Sequence, residues 1–437
     1  MYTRRPAVEI QEPELSGTPL DEGHLSGADA GPPADSRPLA DLARLRRLPT
    51  LRFGLIGQVL TFAAMVVPIA LREGEQIAVL VFTSAIASGA VSTALLGYQF
   101  VYPVIRGPRS AATATGLAFG ALVTVSLLLL PLTFFEGRLG LPGGTFAATS
   151  GLLFTLGLYA MTATQLVRRG DEHGLGVVRM LYGVGVLGLT TAASLWPVGP
   201  LGLTIANAVA YVVPAVRYLK LRQPEHLRLP MPRHARMRLV RASLRRSVQP
   251  TFSTLANGWA FFLPGIAIPG LGIAAQPWAI VARIAGGFST VLTTIVSPPL
   301  EARMAKAVRD RERAQYGRAR RAAVVAGVTA SVLAMLTGLS LALYQNWSTA
   351  AEWLVPVTLA TVLYWTVLLA SAPLNRTPNF VGRDTARLVW DVARAALVTA
   401  AFFATSGIAR LMVIGVVLTV FGILLIPLTR YRASAQS

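Results

Sequence analysis

Two groups of charged residues stand where a chain this apolar should not carry them. The first is Arg283, in "QPWAIVARIAGGFSTV", some seven residues inside a hydrophobic run, or about 10 Å deep at 1.5 Å per helical residue. A guanidinium facing hydrocarbon at that depth is costly, so it should face a water-filled cavity, a carboxylate or a backbone carbonyl. The chemistry it offers is anion binding in a central cavity; the plain alternative is a structural arginine that snorkels outward or bonds a neighbouring helix. The second group is Arg383, Arg387, Asp391 and Arg394, whose spacings of four, four and three align them on one helical face. Arg394 then sits about 12 Å below the inner edge of its span. Asp391 can neutralise Arg387 or Arg394, which leaves a net positive stripe able to meet an anionic headgroup at the inner entrance. An intrahelical ion pair with snorkelling arginines accounts for the stripe nearly as well.

Gln58, Gln99, Gln165, Asn207 and Asn257 are polar positions in or near apolar segments. Hydrogen bonding between helices is the usual work of such residues in lipid. Gln58 and Asn257 are also candidate contacts to a sugar, because their segments open the two halves of the chain. Trp259, Trp278, Trp347 and Trp353 fit an outer aromatic belt at the membrane interface. Cysteine is absent, which removes disulfides, thiolate nucleophiles and cysteine metal sites. His24, His173, His226 and His234 all lie in hydrophilic stretches, so neither a zinc site nor a buried histidine base is expected. No catalytic residue, metal or cofactor is expected either. Asp391 is the one carboxylate clearly within an apolar segment; Glu352 lies at an outer edge, and Glu73 and Glu75 in an outer loop read as solvated. Coupling to protons or sodium through a buried acid would therefore fall to Asp391.

The elements that must position these residues are membrane helices. Of 437 residues 53% are apolar and 14% charged, against about a quarter charged in a soluble domain, and the mean hydropathy is +0.55. The net charge of +20 would suit nucleic acid if it formed one surface. Instead the basic residues, 38 of 40 of them arginine, come in bursts between apolar runs, and no nucleic-acid partner is expected. Twelve segments approach the roughly 20 residues needed to cross a bilayer: 53–71, 77–99, 111–135, 145–167, 176–196, 199–217, 250–270, 276–299, 322–344, 351–372, 386–406 and 411–428. Arginines and lysines concentrate in alternate loops, at Arg106 and Arg109, Arg168 and Arg169, Arg217 to Arg246, Arg303 to Arg321, and Arg376 and Arg383, whereas the other loops hold Arg72, Arg138 and Arg410. That alternation puts both termini inside.

The domain reading is a disordered cytoplasmic tail over 1–50, a six-helix lobe over 51–219, a basic cytoplasmic linker over 220–248, a second six-helix lobe over 249–430 and a cytoplasmic tail over 431–437. The first tail is rich in Pro, Gly, Asp and Glu and has no hydrophobic period. It also lacks the early basic and apolar segments of a secretory signal. The basic connections are attracted to anionic lipid headgroups. Pro68 and Pro264, Gly89 and Gly286, and Pro103 and Pro298 recur at offsets of 195 to 197, which points to an internal repeat. Six spans is an even number, so the copies share topology and relate by a pseudo-two-fold axis along the membrane normal. The expected fold is thus an all-α polytopic membrane protein of about twelve helices in two lobes.

The six-plus-six plan, the central basic connection and three stretches carry a family resemblance. The stretches are "TATQLVRRGDEHGLGVVRMLYGVGVLG", "PWAIVARIAGGFSTVLTTIVSPPLEARMAK" and "GRDTARLVWDVARAALVTA". Over roughly residues 50 to 430 the chain resembles the multidrug/oligosaccharidyl-lipid/polysaccharide (MOP) flippase superfamily, and within it bacterial polysaccharide flippases of the O-antigen type. The resemblance implies a multi-pass protein of the bacterial cytoplasmic membrane. Its implied activity is to move a polyprenyl-diphosphate-linked oligosaccharide across that membrane by alternating access, for cell-surface polysaccharide synthesis, without acting as an enzyme. It implies that Arg283 faces the central cavity, as a span-8 arginine does in lipid-linked sugar flippases. The partners expected are the isoprenoid-linked oligosaccharide, membrane lipids, and the polysaccharide polymerase and other assembly proteins. The uncharged first span departs from the several members that carry charge there. Two other readings remain open: a multidrug efflux antiporter of the same superfamily, which would want carboxylates and aromatics in the cavity where this sequence offers arginines, and a membrane polymerase or glycosyltransferase, which would want acid and base residues held at a reacting sugar.

Overall fold

A backbone immersed in hydrocarbon must satisfy its own N–H and C=O groups, so apolar runs of this length become helices. The computed structural model describes residues 49–105, 108–196, 199–220, 233–375 and 377–431. The expected tails, 1–50 and 431–437, and the first half of the basic linker fall almost wholly outside these described residues. Among the described residues twelve long helices follow in order. The first lobe has α1 (Pro49–Ala70), α2 (Gly74–Ala94), α3 (Pro108–Leu129), α4 (Thr145–Arg169), α5 (Glu172–Leu195) and α6 (Gly202–Tyr218). The second has α7 (Arg233–Ile266), α8 (Ala275–Val291), α9 (Arg313–Gln345), α10 (Ala350–Thr361), α11 (Asp384–Ala404) and α12 (Gly407–Leu428).

Two helices are broken in the same manner. α8 passes through a π turn, Leu292–Val296, into Ser297–Arg309, and α10 through a π turn, Val362–Thr366, into Val367–Ser371. A π turn disturbs the regular ladder, and at α10 neighbouring hydroxyls meet two of its carbonyls. Thr419 Oγ1 donates to Leu363 O at 3.3 Å and Ser331 Oγ to Thr366 O at 3.0 Å.

Eight of the twelve are long and apolar enough to span a bilayer on those grounds alone. The other four have physical reasons to fall short. α6 is 17 residues long and α8 runs 17 before its π turn, α7 begins in the basic connection, and α11 carries Arg387, Asp391 and Arg394.

The two lobes repeat one packing scheme: α1 on α5, α3 on α4, α4 on α6 and α5 on α6 in the first, and α7 on α11, α9 on α10, α10 on α12 and α11 on α12 in the second. The pairs match one for one under the pseudo-two-fold relation of two six-helix lobes. Pro68 and Pro264 fall on the equivalent helices α1 and α7, and Gly89 and Gly286 on α2 and α8. The lobes meet along α1, α2, α7 and α8, where glycines permit close approach. A Cβ on Gly265 of α7 would lie 2.4 Å from Ala85 Cβ of α2, and one on Gly287 of α8 would lie 2.8 Å from Met65 Sδ of α1. Inside the first lobe, a Cβ on Gly57 would come within 2.6 Å of the Arg179 carbonyl oxygen, and one on Gly183 within 2.6 Å of the Gly57 carbonyl oxygen. α1 and α5 therefore touch backbone to backbone, as small residues allow in membranes.

At the end of the bundle where α1 begins, the near end, the "TATQLVRR" stretch acts as a clamp. Gln165 Nε2 donates to Lys220 O at 3.0 Å, Lys220 N donates to Gln165 Oε1 at 3.1 Å, and Arg168 Nη2 donates to Ile105 O at 3.1 Å. The Asp171 carboxylate then caps α5 by accepting from Gly174 N at 2.7 Å. At the far end the α1–α2 turn closes on the second lobe: Arg72 lies over the Tyr344 ring at 5.5 Å, and Gly74 packs against the side-chain amides of Gln276 and Gln345. Of the tryptophans expected in an outer belt, Trp347 is exposed, whereas Trp278 and Trp353 are fully buried. Their indole N–H groups are met inside the protein, by Pro264 O at 3.2 Å and Asn346 O at 3.1 Å.

Candidate functional site

A cavity of about 340 Å³ and a larger one of about 670 Å³ adjoin at the meeting of the lobes, sharing Thr61, Met65, Tyr182, Tyr211 and Thr290 in their walls. The larger is bounded by α1, α2, α5 and α6 from one lobe and by α7, α8 and α10 from the other. Its lining runs from the level of Arg283 to Asn375, beyond the near end of α10. Both π turns contribute to this wall or adjoin it, through Thr293 and Trp365.

Arg283 is in the wall of the larger cavity and half-buried. Its Nη2 donates to Ala64 O of α1 at 3.1 Å, across the lobe boundary. Arg283 and Ala64 each lie about 10 Å from the far end of their own helices, so the bond joins groups at one depth. Nε of Arg283 has no hydrogen-bond partner, although a guanidinium has five N–H donors in a fixed fork. The group thus keeps one buried donor unsatisfied beside the cavity it lines. Among the described lining residues neither cavity has a carboxylate. Electrostatically the site is cationic without an internal counter-charge.

The other sequence candidates separate into three places. Gln58 lines the smaller cavity and Asn207 the larger, where Asn207 also donates through Nδ2 to Leu203 O at 2.9 Å. Asn257 lies on α7 between cavity-lining Gly258 and the near end, and its side chain is outside the described ones. Gln99 and Gln165 serve structure, Gln99 by donating to Ser92 Oγ at 2.9 Å and Gln165 in the near-end clamp.

The charged stripe of α11 is packed within its own lobe. Arg387, Asp391 and Arg394 are 6%, 2% and 2% exposed. Arg387 Nε reaches Asp391 Oδ2 at 2.7 Å, and Arg394 Nη2 lies 3.5 Å from Asp391 Oδ1. Both guanidiniums lie over the Trp390 ring, at 4.9 and 4.3 Å. Arg387 also donates to the Asn375 carbonyl, which sets this cluster directly behind a residue of the cavity wall. The expected four-residue stripe begins one residue too early. α11 starts at Asp384, and Arg383, just ahead of it, donates to the Pro427 carbonyl at the end of α12. A cation there favours the negative end of a helix dipole.

Two solved structures share this architecture. One is the inward-facing conformation of a multidrug resistance MATE family transporter of the MOP superfamily, at 14% identity and TM-score 0.53, covering 89% of this chain and 96% of that one. The other is the lipid II flippase MurJ in an inward closed conformation, at 9% identity and TM-score 0.61, covering 86% and 87%. The chain shares the fold of these two proteins. No protein-family model and no curated protein matches its sequence.

Within this fold, the site holds groups that the sequence reading passed over. Tyr159, Tyr182 and Tyr211, from α4, α5 and α6, form one wall of the smaller cavity together with Arg179. Tyr182 and Tyr211 stack at 4.3 Å with an interplanar angle of 12°, and Tyr159 stands 5.5 and 5.2 Å from them. A signal existed for them: one tyrosine near the middle of each of three consecutive spans, each carrying a hydroxyl that hydrocarbon would not satisfy. Arg179 lies close to the near end of its span, where an arginine is unremarkable in sequence.

Proposed function

We propose that this protein is a flippase that carries a polyprenyl-diphosphate-linked oligosaccharide across the cytoplasmic membrane for cell-surface polysaccharide synthesis. A sugar diphosphate cannot cross hydrocarbon without a polar passage, since each desolvated polar group costs free energy. The supporting observation is Arg283 in the wall of an inter-lobe cavity, with no carboxylate among the described residues lining it. In this reading Arg283 holds the diphosphate, Gln58 and Asn257 contact the sugars, and the isoprenoid stays in lipid through a gap between the lobes. Rocking of one lobe against the other exposes the cavity to each side in turn. The arginine-rich loops assign the near end to the cytoplasm. The partners of the reading are the lipid-linked substrate, the surrounding lipids, and a polymerase with other assembly proteins on the outer side. The Arg387–Asp391–Arg394 cluster has no contact with substrate here, being enclosed within its lobe.

The tyrosine faces favour a second reading, efflux of a cationic aromatic compound. Arg283 and Arg179 in the same walls oppose it by like-charge repulsion. The test is headgroup inversion in proteoliposomes. Arg283→Gln, which keeps much of the length and removes the charge, should slow inversion by roughly 10- to 100-fold, the worth of a charge-assisted hydrogen bond to a buried anion. Full activity in a folded Arg283→Gln protein, or export of a cationic dye with no lipid inversion by the wild type, overturns the reading.

A further inference from the structure

The smaller cavity has a chemistry of its own. Its anion-attracting group, Arg179, lies at its near end, with Nη1 about 3.7 Å from where a Cβ on Gly54 would be. Between Arg179 and the level of Arg283 stand the three tyrosine rings, with Gln58 and Thr61 on the facing helix α1. We propose that the wall of Tyr159, Tyr182 and Tyr211 is a carbohydrate-binding subsite that takes a pyranose ring of the cargo headgroup. This rests on the reading of the cargo as a lipid-linked oligosaccharide.

A pyranose presents one or both faces as a patch of C–H groups with hydroxyls around its rim. An aromatic face is electron-rich and large, and it packs against such a patch at low conformational cost. The rim then needs hydrogen-bond partners, which Gln58, the tyrosine hydroxyls and the Arg179 guanidinium supply as donors and acceptors of mixed kind. The volume of about 340 Å³ falls in the range of small-ligand sites. A lipid tail would leave these polar groups unsatisfied. A bare diphosphate would not use the aromatic faces.

The placement also divides the cargo between the lobes. The diphosphate ligand Arg283 belongs to α8 of the second lobe, and the three rings belong to α4, α5 and α6 of the first. A headgroup held at both ends would bridge the lobes, so that sugar recognition reports to the same inter-lobe contact that rocking must break.

The experiment measures equilibrium binding of two probes to the purified full-length protein in nanodiscs: a polyprenyl diphosphate with no sugar, and the same lipid bearing an N-acetylhexosamine disaccharide. Wild type should bind the glycosylated probe about tenfold more tightly, as expected of aromatic stacking with rim hydrogen bonds. Tyr159→Ala, at the ring that lines the smaller cavity and not the larger, should erase that advantage and leave binding of the bare lipid unchanged, while Tyr159→Phe should keep most of it. Arg283→Gln should weaken both probes equally. A Tyr159→Ala protein that retains the tenfold advantage, or that loses both probes alike while eluting as folded monodisperse protein, overturns the subsite and leaves the reading of the cargo standing. Failure of wild type to bind either probe overturns both.

Discussion

Asp391→Asn separates a scaffold role for the α11 cluster from a transport role. Asp391 is 2% exposed and is the shared counter-charge of Arg387 at 2.7 Å and Arg394 at 3.5 Å, which are themselves 6% and 2% exposed. The amide preserves shape and removes the negative charge, so the buried cluster changes from a net charge of +1 to +2. Breaking a buried ion pair by neutralising one partner costs about 3–5 kcal/mol, because the remaining charge has no solvent to relax into. Two cations lose their counter-charge here, so the upper part of that range applies. The Trp390 ring and the Asn375 carbonyl, which receive the guanidiniums, recover a fraction. In a thermal scan of the detergent-solubilised protein this should lower the apparent Tm by about 5–10 °C. Replacing the charges together, as Arg387→Leu with Asp391→Leu and Arg394→Met, should recover most of the loss, since apolar replacement of a whole buried cluster is often neutral. Headgroup inversion by the surviving folded fraction of Asp391→Asn should be near normal. An unchanged Tm with abolished inversion would refute the argument and move Asp391 into the transport machinery.

Two further outcomes test the packing on which the cavities depend. Gly57→Val should destabilise by more than the about 1–3 kcal/mol of ordinary overpacking, because its Cβ would meet the Arg179 backbone 2.6 Å away; fluorescence-detected size exclusion after heating reads this, and wild-type retention would show that α1 and α5 can separate freely. Gln165→Ala removes both bonds to the Lys220 backbone and should cost about 1–3 kcal/mol. Its effect should appear as faster hydrogen exchange at the near ends of α4 and α6, with exchange at α10 and α12 unaltered.

Much of the fold could be read from one dimension because a bilayer imposes it there. Spanning length and apolar content locate helices independently of what they touch, and the twelve expected segments coincide with α1 to α12 apart from shifts at their ends. The largest shift is at α7, which begins at Arg233 rather than near 250. A basic amphipathic stretch and a loop look alike in hydropathy. Two of the three repeat landmarks, Pro68 with Pro264 and Gly89 with Gly286, fall on paired helices, whereas Pro103 lies in the short 3-10 segment Tyr102–Val104 and Pro298 in the helix Ser297–Arg309. The π turn of α10 was not legible, since two of its carbonyls are met by Thr419 and Ser331 from other helices.

For the site, the sequence by itself determined that Arg283 had to find a polar environment: burial depth and the cost of a charge in hydrocarbon follow from position within a span. It also determined that Asp391 could pair within its helix, because spacing of three and four is local geometry. Which way each group points was decided by the tertiary structure alone. Arg283 and Arg394 have similar depth and similar neighbours in sequence, yet the first lines an inter-lobe cavity and the second is enclosed within one lobe. The tyrosine wall likewise exists only once α4, α5 and α6 pack together. Facing is set by rotation of a helix about its own axis against its neighbours, and that rotation is fixed by contacts between residues far apart in the chain, such as Gly57 with Gly183 and Gly265 with Ala85.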